Sequence, residues 1–224
     1  MNDQKIRPSV KKTLCQGCHV YPQYCFCKYF TPLKNKTKLH FIVHHRESHL
    51  SSNTVWPGYN MLENSQYLLR GLFQNPIDEN LFKGKEKTTF VLYPTENAEV
   101  VDEDFVKEYA SSPDLNFVVP DGTWSQARRM VRKEPCLRHL RHIKINTKRT
   151  SDYVLRKQTL PDKLCTLEAV IELLRSFEEP QIIDSLEAIL KVHIQTGLLM
   201  RGKLNMEDYR ESTKVPFQTL SQNF

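Results

Sequence analysis

The chain alternates short apolar, β-prone runs with longer amphipathic stretches. Runs at 39–44, 89–93, 116–119 and 142–145 are rich in branched and aromatic side chains and have the length of buried strands. Helical periodicity appears between and after them. Thr123 can cap a helix that runs through Ala127, Met130 and Val131 and is stopped by Pro135. Thr166 can cap a second, in which Val170, Leu173, Leu174 and Phe177 follow the i, i+3, i+4, i+7 spacing of one apolar face. A third spans 183–194, with Leu186, Ile189, Leu190 and Ile194 inward and Gly197 near its end. Strands alternating with helices predict an α/β fold, a mainly parallel sheet covered on both faces. Residues 1–12 are polar and basic and read as a flexible N-terminus. Residues 13–34 form a cysteine-rich element, 35–210 carry the α/β pattern, and 211–224 read as a C-terminal tail.

With 224 residues the chain can bury the core of one ample domain. No run approaches the ~20 apolar residues of a membrane span, and the first residues lack the apolar centre of a signal peptide, so a cytoplasmic protein is expected. No obligate protein partner is evident. The formal charge of +6 favours a polyanionic partner without naming one. Its distribution says more: nine Lys or Arg lie between Arg128 and Arg149 against one acid, Glu134. Such a tract is either a solvated face or a phosphate-binding one.

Four of the six cysteines crowd into one short segment as Cys15-x2-Cys18-x6-Cys25-x-Cys27. In a cytosolic chain of this length that arrangement favours a metal over disulfides, and four thiolates suit tetrahedral zinc. A closed four-sulfur site leaves no position for substrate, so the zinc is expected to be structural. His19 is an alternative ligand. Tyr21, Tyr24, Phe26 and Lys28 either help grip RNA or form the element's own small core.

The run NFVVP leads straight into Asp121-Gly122-Thr123-Trp124 and then a helix, which places a carboxylate and an indole at the carboxyl end of a strand. Ligands of open α/β sheets bind there. From the residues alone, Asp121 is a general base, an orienter of an amino group or a turn residue. Trp124 is either a site residue or core.

The segment DGTWSQARRM resembles the signature of the DTW-domain family, named after Asp-x-Thr-Trp. Five other segments resemble that family's in the same order: CQGCHVYPQYCFC, HHRESHLSSNT, VLYPTENAE, SDYVLRKQ and LCTLEAVIELL, so that the likeness runs over 15–174. The chain departs from the pattern at Pro120, where an aliphatic residue is usual. The resemblance implies a tRNA-uridine aminocarboxypropyltransferase with a SPOUT-like parallel sheet and a C-terminal trefoil knot over 35–210. It also implies S-adenosylmethionine (SAM) held in the knot loops. Those loops correspond to Leu92, Tyr93, Pro94 and Thr95; to Val119, Pro120, Asp121, Thr123 and Trp124; and to Leu164, Cys165, Thr166, Glu168 and Ala169.

Attack on the γ-carbon of SAM's methionine part transfers aminocarboxypropyl and releases methylthioadenosine, whereas attack at the methyl group methylates, so positioning decides the product. Uridine N3 becomes nucleophilic on losing its proton, which gives a nearby carboxylate a role; Asp121 is the candidate base. The alternative is that Asp121 binds SAM's amino group. Thr166 and neighbouring helix amides are expected to hold the SAM carboxylate, or Thr166 simply caps. Glu168 steadies the ammonium or ribose, or complements the helix dipole. Trp124 walls the adenine or packs beneath the loop. Arg128, Arg129, Arg132 and Lys133 are expected to meet tRNA phosphates, with Arg156 and Lys157 extending the track. His45, Arg46 and Asn53, beside His44, are expected near the target base. The rival readings are a SAM-dependent RNA methyltransferase and a non-catalytic zinc-headed RNA-binding module.

Overall fold

A computed structural model describes residues 14–71, 77–78, 80–147, 149–156 and 164–222. Its centre is a six-stranded sheet in which every neighbouring pair is parallel, as the alternation of strands and helices predicts. The strands are β1 (Lys38–His44), β2 (Ser65–Arg70), β3 (Thr89–Leu92), β4 (Glu99–Val100), β5 (Asn116–Asp121) and β6 (Arg141–Lys144), in spatial order β2-β1-β5-β3-β6-β4. The helices are α1 (Val55–Met61), α2 (Glu103–Tyr109), α3 (Trp124–Lys133), α4 (Pro135–Arg138), α5 (Thr166–Leu174), α6 (Pro180–Met200) and α7 (Met206–Ser221).

The period of two along a strand sorts the sheet's side chains into two cores. Leu39, Phe41 and Val43 of β1, Phe90 of β3, and Phe117 and Val119 of β5 enter the larger one, with α1, α2, α5 and α6. Ile42, Val91 and Val118 face the other way, onto Met130, Val131 and Leu137 of α3 and α4. The same alternation directs Asp121, two residues past Val119, to the larger-core side. It directs His44, two past Ile42, to the α3 side. Pro120 lies beyond the register that β5 shares with β3, which ends at Val91 and Val118, and the strand continues through Asp121.

Several elements escape the pattern of the sequence. Strand β2 lies at one edge of the sheet and alternates half-exposed with exposed residues, so its apolar signal is weak. Helix α1 contains Pro57 and Gly58; the proline falls in the first turn, where its missing N–H has no helical partner to lose. Gly58 is required by packing, because a Cβ there would lie 2.7 Å from Leu167 Cδ1 of α5. Residues expected to form a tail belong to α7, whose Thr213 and Leu220 are buried and which packs along α6. The second predicted helix stops at Leu174, short of Phe177, and the third runs on past Gly197.

The cysteine element is not a separate appendage. Cys18, Val20 and Phe26 join the larger core, His19 stacks on Trp56 of α1 at 4.8 Å, and Tyr29 stacks on Phe217 of α7 at 4.2 Å. Phe26, 1% exposed, is therefore core and has no face to offer a base. Among the described residues no helix is long and apolar enough to cross a membrane.

Candidate active site

Asp121 sits at the carboxyl end of the central strand β5 and is only 6% exposed. Two hydroxyl and amide donors converge on its carboxylate: Asn53 Nδ2 donates to Oδ2 at 2.7 Å and Thr166 Oγ1 to Oδ1 at 2.6 Å. Asn53 lies just before α1 and Thr166 opens α5, so three elements meet at one anion. Burial raises the Asp121 proton affinity above the usual carboxylate range, while the Thr166 and Asn53 bonds pull it back. Such a carboxylate is oriented, desolvated and more basic than one in water.

The loop that carries Asn53 is itself clamped. Asn53 Oδ1 accepts from Val55 N at 2.7 Å and its amide reaches Glu47 O at 3.2 Å. Arg156 pairs with buried Glu47 at 2.8 Å and donates to Ser52 Oγ at 3.2 Å, and the Tyr153 hydroxyl donates to Ser52 O. Asn53 and Arg156, expected to contact RNA, thus act inward on the Asp121 cluster. Lys157 lies outside the described residues. The roles of Glu47, Ser52 and Tyr153 carry no local sequence signal, since partners 101 or more residues apart define them.

All three predicted cofactor loops meet at this edge. Strands β3 and β5 are neighbours, so Leu92, Tyr93, Pro94 and Thr95 lie beside Val119, Pro120, Asp121, Thr123 and Trp124; the Tyr93 and Trp124 rings are 6.0 Å apart. The Thr166–Asp121 bond brings in the third loop. Leu164, Cys165 and Ala169 are half-buried there. Trp124 is 45% exposed, which contradicts the reading that it packs beneath its loop.

Two residues of the third loop differ from expectation. Cys165, not Thr166, is the N-cap of α5, and Thr166 spends its hydroxyl on Asp121. The Leu167 amide is taken by Thr54 Oγ1 at 3.3 Å, so this helix start is largely satisfied from within. Glu168 is fully buried and accepts from Ser151 Oγ at 2.6 Å, Cys165 N at 2.7 Å and Asp152 N at 2.8 Å. It ties the 151–152 chain to α5 and does not face the site.

On the opposite side of the sheet, a cleft of about 560 Å³ separates the ends of β1 and β2 from α3. His45, Arg46, Arg129 and Lys133 line it, and Arg128 and Arg132 flank an adjoining groove of about 230 Å³. Helix α3 is well anchored for this duty. Thr123 and Gln126 form its capping box, and Ala127, Met130 and Val131 hold the apolar face in the core, which turns its arginines outward.

The four cysteines converge as well, with all their sulfurs within 4.8 Å of one another. The Cys15–Cys25, Cys15–Cys27 and Cys18–Cys25 Sγ separations are 3.5, 3.6 and 3.7 Å. These are too long for disulfides and close to the roughly 3.8 Å edge of a tetrahedron with ~2.3 Å zinc–sulfur bonds. Gly17 is needed there, since a Cβ would lie 2.7 Å from Cys27 Sγ. His19 is turned away onto Trp56, so the cluster has only sulfur donors.

A family model described as the DTW domain matches residues 12–198. A Macaca fascicularis protein named tRNA-uridine aminocarboxypropyltransferase 2 is 27% identical over 206 residues, 88% of this chain and 68% of that protein. A Drosophila melanogaster protein of the same name is 31% identical over 114 residues, 49% of this chain and 44% of its own length. No solved structure matches the chain.

Proposed function

The chain belongs to the DTW domain family, and from that membership and the Asp121 cluster we propose that it transfers the 3-amino-3-carboxypropyl group of SAM to N3 of a uridine in tRNA. The observation that carries the chemistry is the buried Asp121 carboxylate, aimed by Asn53 and Thr166 at the one edge where all three predicted cofactor loops meet. The relatives' names support tRNA as the substrate and aminocarboxypropyl as the group. The basic face of α3 supports a polyanionic one.

In the reaction, the N3–H proton passes to Asp121 as the N3–carbon bond forms. The bond between that carbon and the sulfonium sulfur breaks, and its electron pair leaves with methylthioadenosine. The raised proton affinity of Asp121 favours this base role, because a carboxylate perturbed upward accepts a proton at neutral pH better than an ordinary one. Exposed Trp124, beside half-buried Tyr93, is suited to border an adenine, and Trp124 takes that role in this reading. Knotted threading of the chain after β6, which family resemblance implies, belongs to the same proposal; the seating of 164–169 against β5 supports it. The cysteine cluster holds a structural zinc through Cys15, Cys18, Cys25 and Cys27. Four thiolates this close repel unless a cation lies among them, and desolvation pushes the Cys18 thiol up to about 11 and raises that of Cys27 as well.

The decisive experiment is nucleoside mass spectrometry of unmodified tRNA incubated with the protein and SAM labelled in its aminocarboxypropyl carbons, beside a methyl-labelled control. Carbon-chain label in a uridine with release of methylthioadenosine is the expected result. Methyl label would select a methyltransferase, and no label in either case a binding module.

A further inference from the structure

The cleft beside α3 has features that a merely solvated basic face lacks. Its volume, about 560 Å³, falls within the roughly 300–1,000 Å³ of pockets that enclose single small molecules. Arg46, Arg129 and Lys133 are exposed along its walls. The one acid among the described residues that line it, Glu134, is 3% exposed and already taken: it accepts from Arg70 Nε at 2.7 Å and from Ile77 N at 3.0 Å. Among the described residues the cleft therefore presents cations and no available carboxylate, which suits an anion.

Its floor suits a base. The His44 and His45 rings lie 4.7 Å apart, and His45 Nδ1 is buried with no hydrogen-bond partner among the described residues. Gly71, at φ +95°, makes room for both, since a Cβ there would lie 2.7 Å from His44 Nε2 and 3.0 Å from His45 Nδ1. Gly122, next in the chain to Asp121, lies against His44 and Gln126, which both line the cleft. A Cβ on Gly122 would meet Gln126 Cβ and Oε1 at 3.0 Å and His44 Cβ at 3.4 Å, filling the gap between the two walls.

We propose that this cleft receives one nucleotide of the RNA, extruded from its stack, with its phosphate on Arg129 and Lys133 and its base over His44 and His45, directed past Gly122 toward Asp121. The inference rests on the transferase reading and adds the route by which the uridine reaches the carboxylate. Extrusion is what a base needs when its reactive edge is engaged in a stack or pair, and imidazoles are among the side chains on which splayed bases stack.

The test uses the full chain with unmodified tRNA transcribed with 4-thiouridine in place of uridine, irradiated and mapped by mass spectrometry of crosslinked peptides. Crosslinks are expected at His44, His45 and residues 122–130. Alongside it, Gly122→Val should bind tRNA within about twofold of wild type yet transfer on the order of 10²-fold more slowly, the effect of misplacing a reactant. Arg129→Ala with Lys133→Ala should weaken binding about tenfold and lower the slope of log Kd against log salt by roughly 1.4–1.8. Crosslinks confined to the cysteine element or α7, or a folded Gly122→Val with full activity, would overturn the cleft while leaving an active wild type intact. Should Gly122→Val not fold, the crosslink map and the double variant decide. Cleft crosslinks in a wild type that transfers nothing would instead sink the transferase reading and keep the nucleotide site.

Discussion

On the Asp121 side of the sheet's carboxyl edge, each charge has a protein partner: Asp121 has Asn53 and Thr166, and Glu47 has Arg156. On the α3 side, Arg128, Arg129, Arg132 and Lys133 all stand exposed. The first arrangement suits a group that must hold one geometry while a bond forms, because no reorganisation is left to do. The second suits recognition of a polyanion, where exposed cations release counterions on binding. On the proposed function a single edge divides chemistry from capture, and substitutions should separate the two.

The sharpest separation should come from Asp121→Asn. Transfer should fall about 10²–10⁴-fold, the usual worth of a general base, with tRNA affinity unchanged in a filter-binding assay. An asparagine can keep both bonds, accepting from Asn53 and donating to Thr166. Burial raises the native Asp121 pKa above that of the unfolded chain, so the native form stabilises the proton below the unfolded value and loses that contribution as pH rises through the native one. The neutral variant should escape this loss and melt about 2–4 °C higher at neutral pH, equivalent to ~1 kcal/mol at this chain length. A variant that loses tRNA binding in proportion to transfer would erase the division.

Removing all four α3 cations by Arg128→Ala, Arg129→Ala, Arg132→Ala and Lys133→Ala should do the reverse. Affinity for tRNA at physiological salt should fall roughly 10–100-fold, a larger loss than that in kcat at saturating tRNA. A drop in kcat that matched or exceeded the loss of affinity would put these residues with the chemistry and not with capture.

Metal removal should strike the chemical side first. His19 stacks on Trp56 and Asn60 donates to Gly17 O at 3.2 Å, so the cysteine element braces α1, whose start delivers Asn53. A metal assay on protein prepared without chelator should find a single zinc per chain. Chelation should lower Tm by several degrees and slow transfer at least about tenfold before tRNA binding is lost. A zinc-free protein with native Tm would remove the metal from the account.

The smallest expected effect is also diagnostic. Asn53→Ala deletes a donor that favours the Asp121 anion, so the acidic limb of the pH–rate profile, already above the ordinary carboxylate range, should move further up. At neutral pH the rate should fall roughly tenfold or less. A limb that stays put would mean Asp121 is not the titrating base.

The strands β1, β3, β5 and β6, the three predicted helices and the four-cysteine cluster were legible because each is written in local spacing or in a continuous apolar run. Strand β2 and helices α1 and α7 were not, since edge exposure, Pro57 with Gly58, and internal Pro216 blur their patterns. Asn53 and Arg156 were singled out for RNA, and the bonds they make inside the protein, to Asp121, Ser52 and Glu47, were not legible because an amide and a guanidinium in a polar loop carry no sign of which distant partners the fold supplies.

The sequence by itself determined the strand faces, the capping box of α3, the outward row of arginines and the sulfur donor set, all of which follow from periodicity over a few residues. Tertiary structure alone decided that Asn53, Asp121 and Thr166, 68 and 45 residues apart, share one buried carboxylate, and that Glu134 is withdrawn from a cleft it would otherwise neutralise. The reason is physical. Desolvation and hydrogen-bond convergence depend on which distant segments close over a group, and a parallel sheet with crossovers brings together at one edge residues that no local spacing relates.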